Sequence, residues 1–585
     1  MQTIEKPAAT AAEPKSPGRA TAGRRKRRLL PGGEGHQLLW LLLAVAVGVA
    51  VLVPLVPLQI GAWENGADGM RRLGEMHGLA DVMRTTLMLG FGGLVVGMVM
   101  GTTLALCAYS MTPRLRSVLE FMPVLPMVIP SVAHVVGFVF LFSPENGYFN
   151  SFLRWTPFFD GTSGPVNVYT LPWIIFYTGT HLAAFVYMFV YTGLKNLGSD
   201  YGLAARVNGA GGFRTLVTIT LPLLRPTFVY ASVVVLLLSL GQFTGPLILG
   251  RREGVDVVTT KMYELSAEYP VDYALASALG TPLIILAVAL IVFQRKMLGN
   301  QNRFVGQGSA TVDNRMLNPV VSWICAAVVS AYVLIAALLP MAAIAFVAFS
   351  PFWSGTVDTS VLTTANFGQV LVDEQVRESI VTTIVVSVVG VLLVLPIGML
   401  VALGIYNKDK LWKPLPTILD VAANLPLTVP AALLGFGFLF AFSSSGIGLY
   451  GTQLSLILAY MTIMIPYSVR YQLATLVSLG RQTMEASQVA GAHALRTFFQ
   501  VILPLSRIGI ASSAAIMFVL LTHEFGVSLL LRAPGVSVMS VVLYDQYGGG
   551  SYPKVAVIAL IMTLMTGLGV ALAMFFGGRK ALEKF

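Results

Sequence analysis

Leu203-Ala-Ala-Arg-Val-Asn-Gly209-Ala210, closing on Leu221-Pro222-Leu-Leu-Arg225, has a counterpart in Glu485-Ala-Ser-Gln-Val-Ala-Gly491-Ala492, closing on Leu503-Pro504-Leu-Ser-Arg507. In each, the distances from the first residue to the Gly and from the Gly to the Leu-Pro are the same. Residues 203 and 485 stand 282 positions apart in a chain of 585. A motif met twice at matched positions marks a duplicated unit.

The material around these stretches is apolar. Hydrophobic residues make up 56% of the chain and charged residues 11%, against about 25% charged in a soluble domain. So few charges cannot cover a water-facing surface, which excludes the soluble classes. Runs of roughly 20 apolar residues are long enough to span a bilayer as helices. Cys107 and Cys325 both fall inside such runs and read as small apolar residues rather than a disulfide.

About twelve spans follow, six per half. They fall near 37–60, 85–109, 118–142, 171–194, 227–249 and 273–293, then near 319–349, 380–406, 416–442, 453–478, 508–531 and 555–577. The expected organisation is a basic, disordered tail over 1–35, a first half over 36–293, a linker over 294–318 and a second half over 319–585. The tail holds Arg24-Arg-Lys-Arg-Arg28 and reads as a cytoplasmic anchor, with nucleic-acid binding as the minor reading and no nucleic acid expected as a partner. Arg114, Arg116, Lys195, Arg214, Arg225, Arg295 and Lys296 gather on one face, as do Lys408, Lys413, Arg481, Arg496 and Arg507. That asymmetry predicts both termini and both repeated motifs on the cytoplasmic side, each motif between the fourth and fifth spans of its half.

The duplication reaches beyond the motif. Thr85-Thr86 answers to Thr382-Thr383, and Glu120 with Pro126 and Pro130 answers to Asp420 with Pro426 and Pro430. Gly-Phe-x-Phe-Leu-Phe follows each proline pair, from Gly137 and from Gly435, and Gln242-Phe243 matches Glu524-Phe525. With an even number of spans per half, the halves run parallel, about a pseudo-two-fold axis along the membrane normal. A proline in a span frees a carbonyl, which is tolerated beside protein or a watery cavity. The matched pairs therefore point to broken third helices lining a shared path. Gly93, Gly97 and Gly101 read as a helix-packing stripe.

No catalytic or metal constellation emerges. No Lys follows a Gly, so a phosphate-binding loop of the Gly-Lys type is excluded. Gly446-Ile-Gly448-Leu-Tyr-Gly451 lies in a short external loop without a strand–helix unit and reads as a turn. His523-Glu524 opens like a zinc-protease helix, but Val527 stands where the second His is required. Glu524 is expected a third of the way into the eleventh span from the cytoplasm, where a carboxylate is either a path residue or an interhelical hydrogen-bonding group. His134 and His181 are expected to be structural hydrogen-bonding residues. Each repeated motif places a short helix below the membrane, broken by Gly209 or Gly491, after which Leu-Pro starts the next segment.

Glu485-Ala-Ser-x3-Gly491-x11-Leu503-Pro504 resembles the EAA loop of permease subunits of binding-protein-dependent type I ABC importers, and the likeness covers both halves. The resemblance implies an all-α polytopic membrane protein of two parallel six-helix repeats, in a bacterial cytoplasmic membrane. It also implies coupling helices that dock on two cytoplasmic ATPase subunits, and an extracytoplasmic substrate-binding protein as the other partner. The coupling residues would be Ala204, Ala205, Gly209, Leu221 and Pro222 in one half. In the other they would be Glu485, Ala486, Gly491, Leu503 and Pro504. The first motif departs from the family pattern at Leu203, and the second at Ser487. ATP and Mg would be bound by the partner subunits, with no cofactor, catalytic residue or metal ligand in this chain. Candidate path residues are Gln242, Phe243, Glu524, Phe525, Pro126, Pro130, Pro426 and Pro430.

The fused halves and Gly-Gln-Phe-Thr-Gly-Pro-Leu at 241–247 look most like ferric-iron permeases, with thiamine and polyamine permeases as alternatives. A rival class is an ion-coupled twelve-helix transporter. It leaves the two motifs unexplained, and its Gly- and Arg-rich loop with an Asp is replaced here by Ser110-Met-Thr-Pro-Arg-Leu-Arg-Ser117. A structural or enzyme-anchoring membrane protein would need no duplicated motif either.

Overall fold

The computed structural model describes residues 34–157, 163–197, 201, 204–205, 207–298, 319–408, 411–444 and 448–577. The basic tail before residue 34, Leu203, the linker over 299–318 and Gly446 lie outside them. The first half comprises α1 (Glu34–Glu75), α2 (Leu79–Ser110), α3 (Pro113–Leu119), α4 (Ser131–Phe142), α5 (Leu171–Asn196), α6 (Arg225–Leu240), α7 (Val258–Ala267) and α8 (Tyr273–Leu298). The second comprises α9 (Pro319–Val333), α10 (Leu339–Phe349), α11 (Glu374–Tyr406), α12 (Leu415–Asn424), α13 (Ala431–Ser444), α14 (Gln453–Leu479) and α15 (Arg481–Val489). It ends with α16 (Leu503–Thr522), α17 (Gly526–Leu530), α18 (Met539–Gly548) and α19 (Tyr552–Gly577). Extended pairing among the described residues is limited to an isolated bridge between Ala533 and Val536.

Among the described residues nine helices are long and apolar enough to cross a membrane, or twelve if each of three bent pairs is one span. From Thr85 to Ser110 in α2, and from Ser379 to Tyr406 in α11, no Asp, Glu, Lys or Arg occurs. Such stretches are stable in lipid only as helices, which satisfy every backbone group internally. In each half the second helix packs along the fourth, α2 on α5 and α11 on α14.

Two of the bent pairs are the third helices. Pro113–Val128 meets Ser131–Phe142 at 96°, and Leu415–Leu427 meets Ala431–Ser443 at 99°. A residue preceding proline is pushed out of the helical region. Ile129, before Pro130, has φ −77° and ψ 128°, and Val429, before Pro430, has φ −106° and ψ 131°. The proline pairs thus break the helices as expected, but the single spans predicted at 118–142 and 416–442 are each two legs. The 12 residues of α4 reach only about 18 Å at 1.5 Å per residue.

The first helices cross over. α1 packs on α12 and α13 of the second half, while α9 and α10 pack on α2 and α4 of the first. At both crossings a glycine admits a proline-bearing turn. A Cβ on Gly137 would stand 2.9 Å from the carbonyl oxygen of Pro340, and one on Gly437 would stand 1.8 Å from that of Pro54. Each of these prolines deprives the carbonyl four residues earlier of its helical donor. The structure supplies replacements from the opposite half. His134 Nε2 lies 2.7 Å from the Ala336 carbonyl, and Thr462 Oγ1 donates to that of Ala50 at 3.5 Å. The expectation for His134 is met in this way. His181 differs: its ring stands 5.4 Å from that of His134, and its Nδ1 has no partner. α1 is also longer than the span predicted at 37–60, running 42 residues.

Candidate functional site

The second repeated stretch forms a short exposed helix, α15, closed by glycine, and in the first Ala204, Ala205 and Val207 are helical ahead of Gly209. In the second half Gly491 has φ +83°. Its N–H donates to the Gln488 carbonyl at 3.0 Å, and that of Ala492 donates to Ser487 at 3.1 Å. This double bond pattern is a Schellman cap, which needs a left-handed residue at the position Gly491 holds. In the first half Gly209 has φ +75°, and Ala210 N–H donates to Ala205 at 2.9 Å. A Cβ at either glycine would meet nothing within 4 Å, so backbone conformation, not space, requires them. Ala204, Gly209, Glu485, Ala486 and Gly491 are exposed, whereas Ala205 is buried. Ser487, the departure from Ala, shares a 3.0 Å hydrogen bond with Thr497 and ties α15 to the next helix.

Leu-Pro does not start the following segment, contrary to expectation. Helix begins at Gly212 and at Ala494, and the Leu-Pro pairs lie inside it. Each comes straight after a π-helical turn, Leu216–Thr220 and Phe498–Ile502. Pro222 and Pro504 cannot donate, and their rings crowd the carbonyl four residues back. Widening the turn relieves both: Leu221 N–H bonds to Leu216, and Leu503 N–H to Phe498. The halves then diverge. Gly212–Leu223 meets Arg225–Leu240 at 66°, while Ala494–Thr522 runs on as one span. The first half has a second proline, Pro226, where the second has Ile508, and the break falls at Leu224.

The fifth spans end sooner than predicted, at Leu240 and Thr522 rather than near 249 and 531. Glu524 therefore does not sit a third of the way along. It follows the helix terminus, roughly 30 Å from Leu503 at 1.5 Å per residue. Its Oε1 accepts from the Val527 N–H at 2.8 Å and so caps α17, satisfying a donor that a helix start leaves open. The neutral counterpart Gln242 has its backbone held instead: Thr259 Oγ1 donates to its carbonyl at 2.7 Å. Ser540 Oγ donates to the Glu524 carbonyl, also at 2.7 Å.

Phe243 and Phe525 come together across the halves, ring centroids 6.0 Å apart at 25°. Both are buried. Tyr263 of α7 packs edge-on against Phe243 at 5.8 Å, and Tyr544 of α18 packs on Phe525 at 5.4 Å. The result is a column of four rings, two from each half. Its flanking helices are anchored identically. Thr86 accepts from the Val258 N–H and Thr383 from the Met539 N–H, each at 2.9 Å. The repeated Thr-Thr pairs thus have a structural task. At the rim, Arg532 pairs with Asp545 at 2.7 Å, and Arg251 pairs with Glu268.

Of the proline candidates, Pro430 is brought against the column's base. A Cβ on Gly241, beside Gln242, would lie 2.5 Å from it. Pro126, Pro130 and Pro426 are buried where the third helices break. Gly448 and Gly451 have φ +68° and +78°, as a turn requires. Both cysteines are free.

Several residues escaped the sequence reading. Val207 is 88% exposed and Val489 90%, and Phe213 and Leu495 follow at 81% and 67%. Both pairs keep the 282-residue spacing, which was the available signal. The same holds, at a spacing of 281, for Tyr263 and Tyr544.

The family model described as "Binding-protein-dependent transport system inner membrane component" matches residues 93–297 and 395–579, once in each half. The chain is 24% identical over 519 residues to the ferric transport system permease protein FbpB of Actinobacillus pleuropneumoniae, spanning 86% of this chain and 72% of that relative. It is 25% identical over 458 residues to the putative ferric transport system permease protein FbpB 1 of Haemophilus influenzae, spanning 77% and 70%. Against the probable ABC transporter permease protein y4fN of Sinorhizobium fredii it is 23% identical over 550 residues, spanning 91% and 94%. With both halves matched, the chain belongs to the binding-protein-dependent transport system inner membrane components and is the membrane-spanning permease of an ABC importer.

Proposed function

We propose that this chain forms the substrate path of an ATP-driven ferric-iron importer and is driven through its two glycine-capped loops by two cytoplasmic ATPase subunits. The observation that carries the coupling role is the matched exposure of Val207 and Val489, with Phe213 and Leu495, on the loops around Gly209 and Gly491. Apolar side chains presented at the same place in both halves suit burial in an apolar groove of a partner. The basic residues nearby, Arg214 and Arg496, add charge complementarity. ATP and Mg belong to those subunits in this reading, and both termini lie in the cytoplasm. A substrate-loaded binding protein docks on the opposite face.

Phe243 and Phe525 close the path on the pseudo-two-fold axis, and rocking of the halves parts them. Support for ferric iron is the name carried by the relatives FbpB and FbpB 1. Thiamine and polyamines are the alternatives. Glu524, the residue that would favour an ion-coupled carrier, is occupied as the cap of α17. Uptake of radiolabelled iron into proteoliposomes tests this reading. It should require the ATPase subunits, ATP and the binding protein together; uptake driven by an ion gradient alone would sink it.

A further inference from the structure

We propose that a groove on the lipid-facing side of the first half binds an anionic phospholipid, its phosphate on Arg225 and an acyl chain along α2. The groove has a volume of about 570 Å³, and Val99, Thr102, Thr103, Val217, Arg225 and Phe228 are among the residues lining it. It sits where Gly212–Leu223 bends away from α6 by 66°, a bend the second half lacks because Ile508 replaces the second proline. The site is therefore particular to one half.

Three observations select the occupant. The groove opens on a membrane span, Leu79–Ser110, whose Val95 and Val99 are 60% and 62% exposed. Apolar side chains exposed within a span face acyl chains. Thr102 lies about 12 Å along α2 from Ser110 at 1.5 Å per residue, so the groove runs inward from the membrane surface. At its outer end Arg225 is exposed, and among the described residues it makes no ion pair or side-chain hydrogen bond. A guanidinium without a carboxylate matches a phosphodiester in geometry and charge. Arg114 and Arg214 lie on the same side of the bundle as Arg225 by the charge pattern. Basic pockets between spans on such a face hold anionic headgroups.

The test uses the full chain in nanodiscs of phosphatidylcholine with a minor fraction of phosphatidylglycerol, followed by native mass spectrometry of the lipid that stays bound. Phosphatidylglycerol should be retained in clear preference to phosphatidylcholine. Arg225→Gln should abolish the preference. Val99→Trp, which fills the groove and leaves the charge, should abolish it too and decides the matter if Arg225→Gln does not fold. Arg507→Gln, at the matched position on the straight helix, should leave it intact. Equal retention of both lipids by the unaltered chain would overturn the proposal. So would equal loss in Arg507→Gln, or a groove covered by a second copy of the chain without lipid.

Discussion

Phe243 and Phe525, one from each half and 282 positions apart, stack across the pseudo-two-fold axis with ring centroids 6.0 Å apart. Each rests on a tyrosine of its own half, and each follows the end of a fifth helix. The contact joins matched residues of the two repeats. It is buried and apolar, so separating the halves exposes it.

If these rings close the path, removing them opens it. Phe243→Ala and Phe525→Ala each should make proteoliposomes permeable to small solutes without ATP, and the double variant more so. Each substitution should also cost about 3–5 kcal/mol of stability. The ring–ring coupling should be about 0.5–1.5 kcal/mol in a double-mutant cycle. A tight, uncoupled double variant would place the closure elsewhere.

Gly491 and Gly209 are held by φ alone, so substitutions should sort by tolerance of the left-handed region. Gly491→Asn should retain most ATP-dependent uptake. Gly491→Val should lose most of it, with a conformational cost of about 1–2 kcal/mol. Expression and thermal stability in detergent, measured beside uptake, separate a disturbed loop from a disturbed bundle.

Glu524 acts as a cap in this account, so the carbonyl oxygen should matter and the charge should not. Glu524→Gln keeps an acceptor for Val527 N–H and should import at close to the original rate, with no change in its pH profile. Glu524→Leu leaves that buried donor open and should destabilise by about 1–3 kcal/mol. A pH-dependent loss in Glu524→Gln would revive a proton-linked role.

Thr86 and Thr383 each accept one backbone N–H at the start of α7 or α18. Replacement by Val leaves that donor unpaired, for about 1–3 kcal/mol at each site. Because the two lie in separate halves with no shared partner, the double variant should lose the sum of the two. Thermal unfolding of the four proteins checks this.

Much of this arrangement is written in local chemistry. A left-handed glycine after a short helix, and a residue driven extended by the proline behind it, depend on neighbours in the chain. Gly209, Gly491, Pro130 and Pro430 could therefore be read directly. The exchange of first helices could not, because Pro54 and Pro340 find their partners, Gly437 and Gly137, hundreds of residues away. Glu524 lies beyond its helix because the apolar run up to Leu530 belongs to the separate short helix α17, and apolar character alone does not mark the break after Thr522. The nine residues from Ala494 that precede Leu503-Pro504 are hidden likewise, since a π turn lets the helix pass through the proline. Tyr263 and Tyr544 were overlooked because they lie in the loops beyond the fifth helices, where only the repeat spacing marks them.

The central claim is that the two capped loops hold two ATPase subunits. Its most direct test is the mass of the complex that co-purifies with the tagged chain from native membranes. The unaltered chain should carry a pair of nucleotide-binding subunits. Val207→Asp and Val489→Asp should each weaken one attachment, and the double variant should purify without them while remaining folded. A chain that keeps both subunits when both valines are changed to Asp, or that never carries any, would contradict the account.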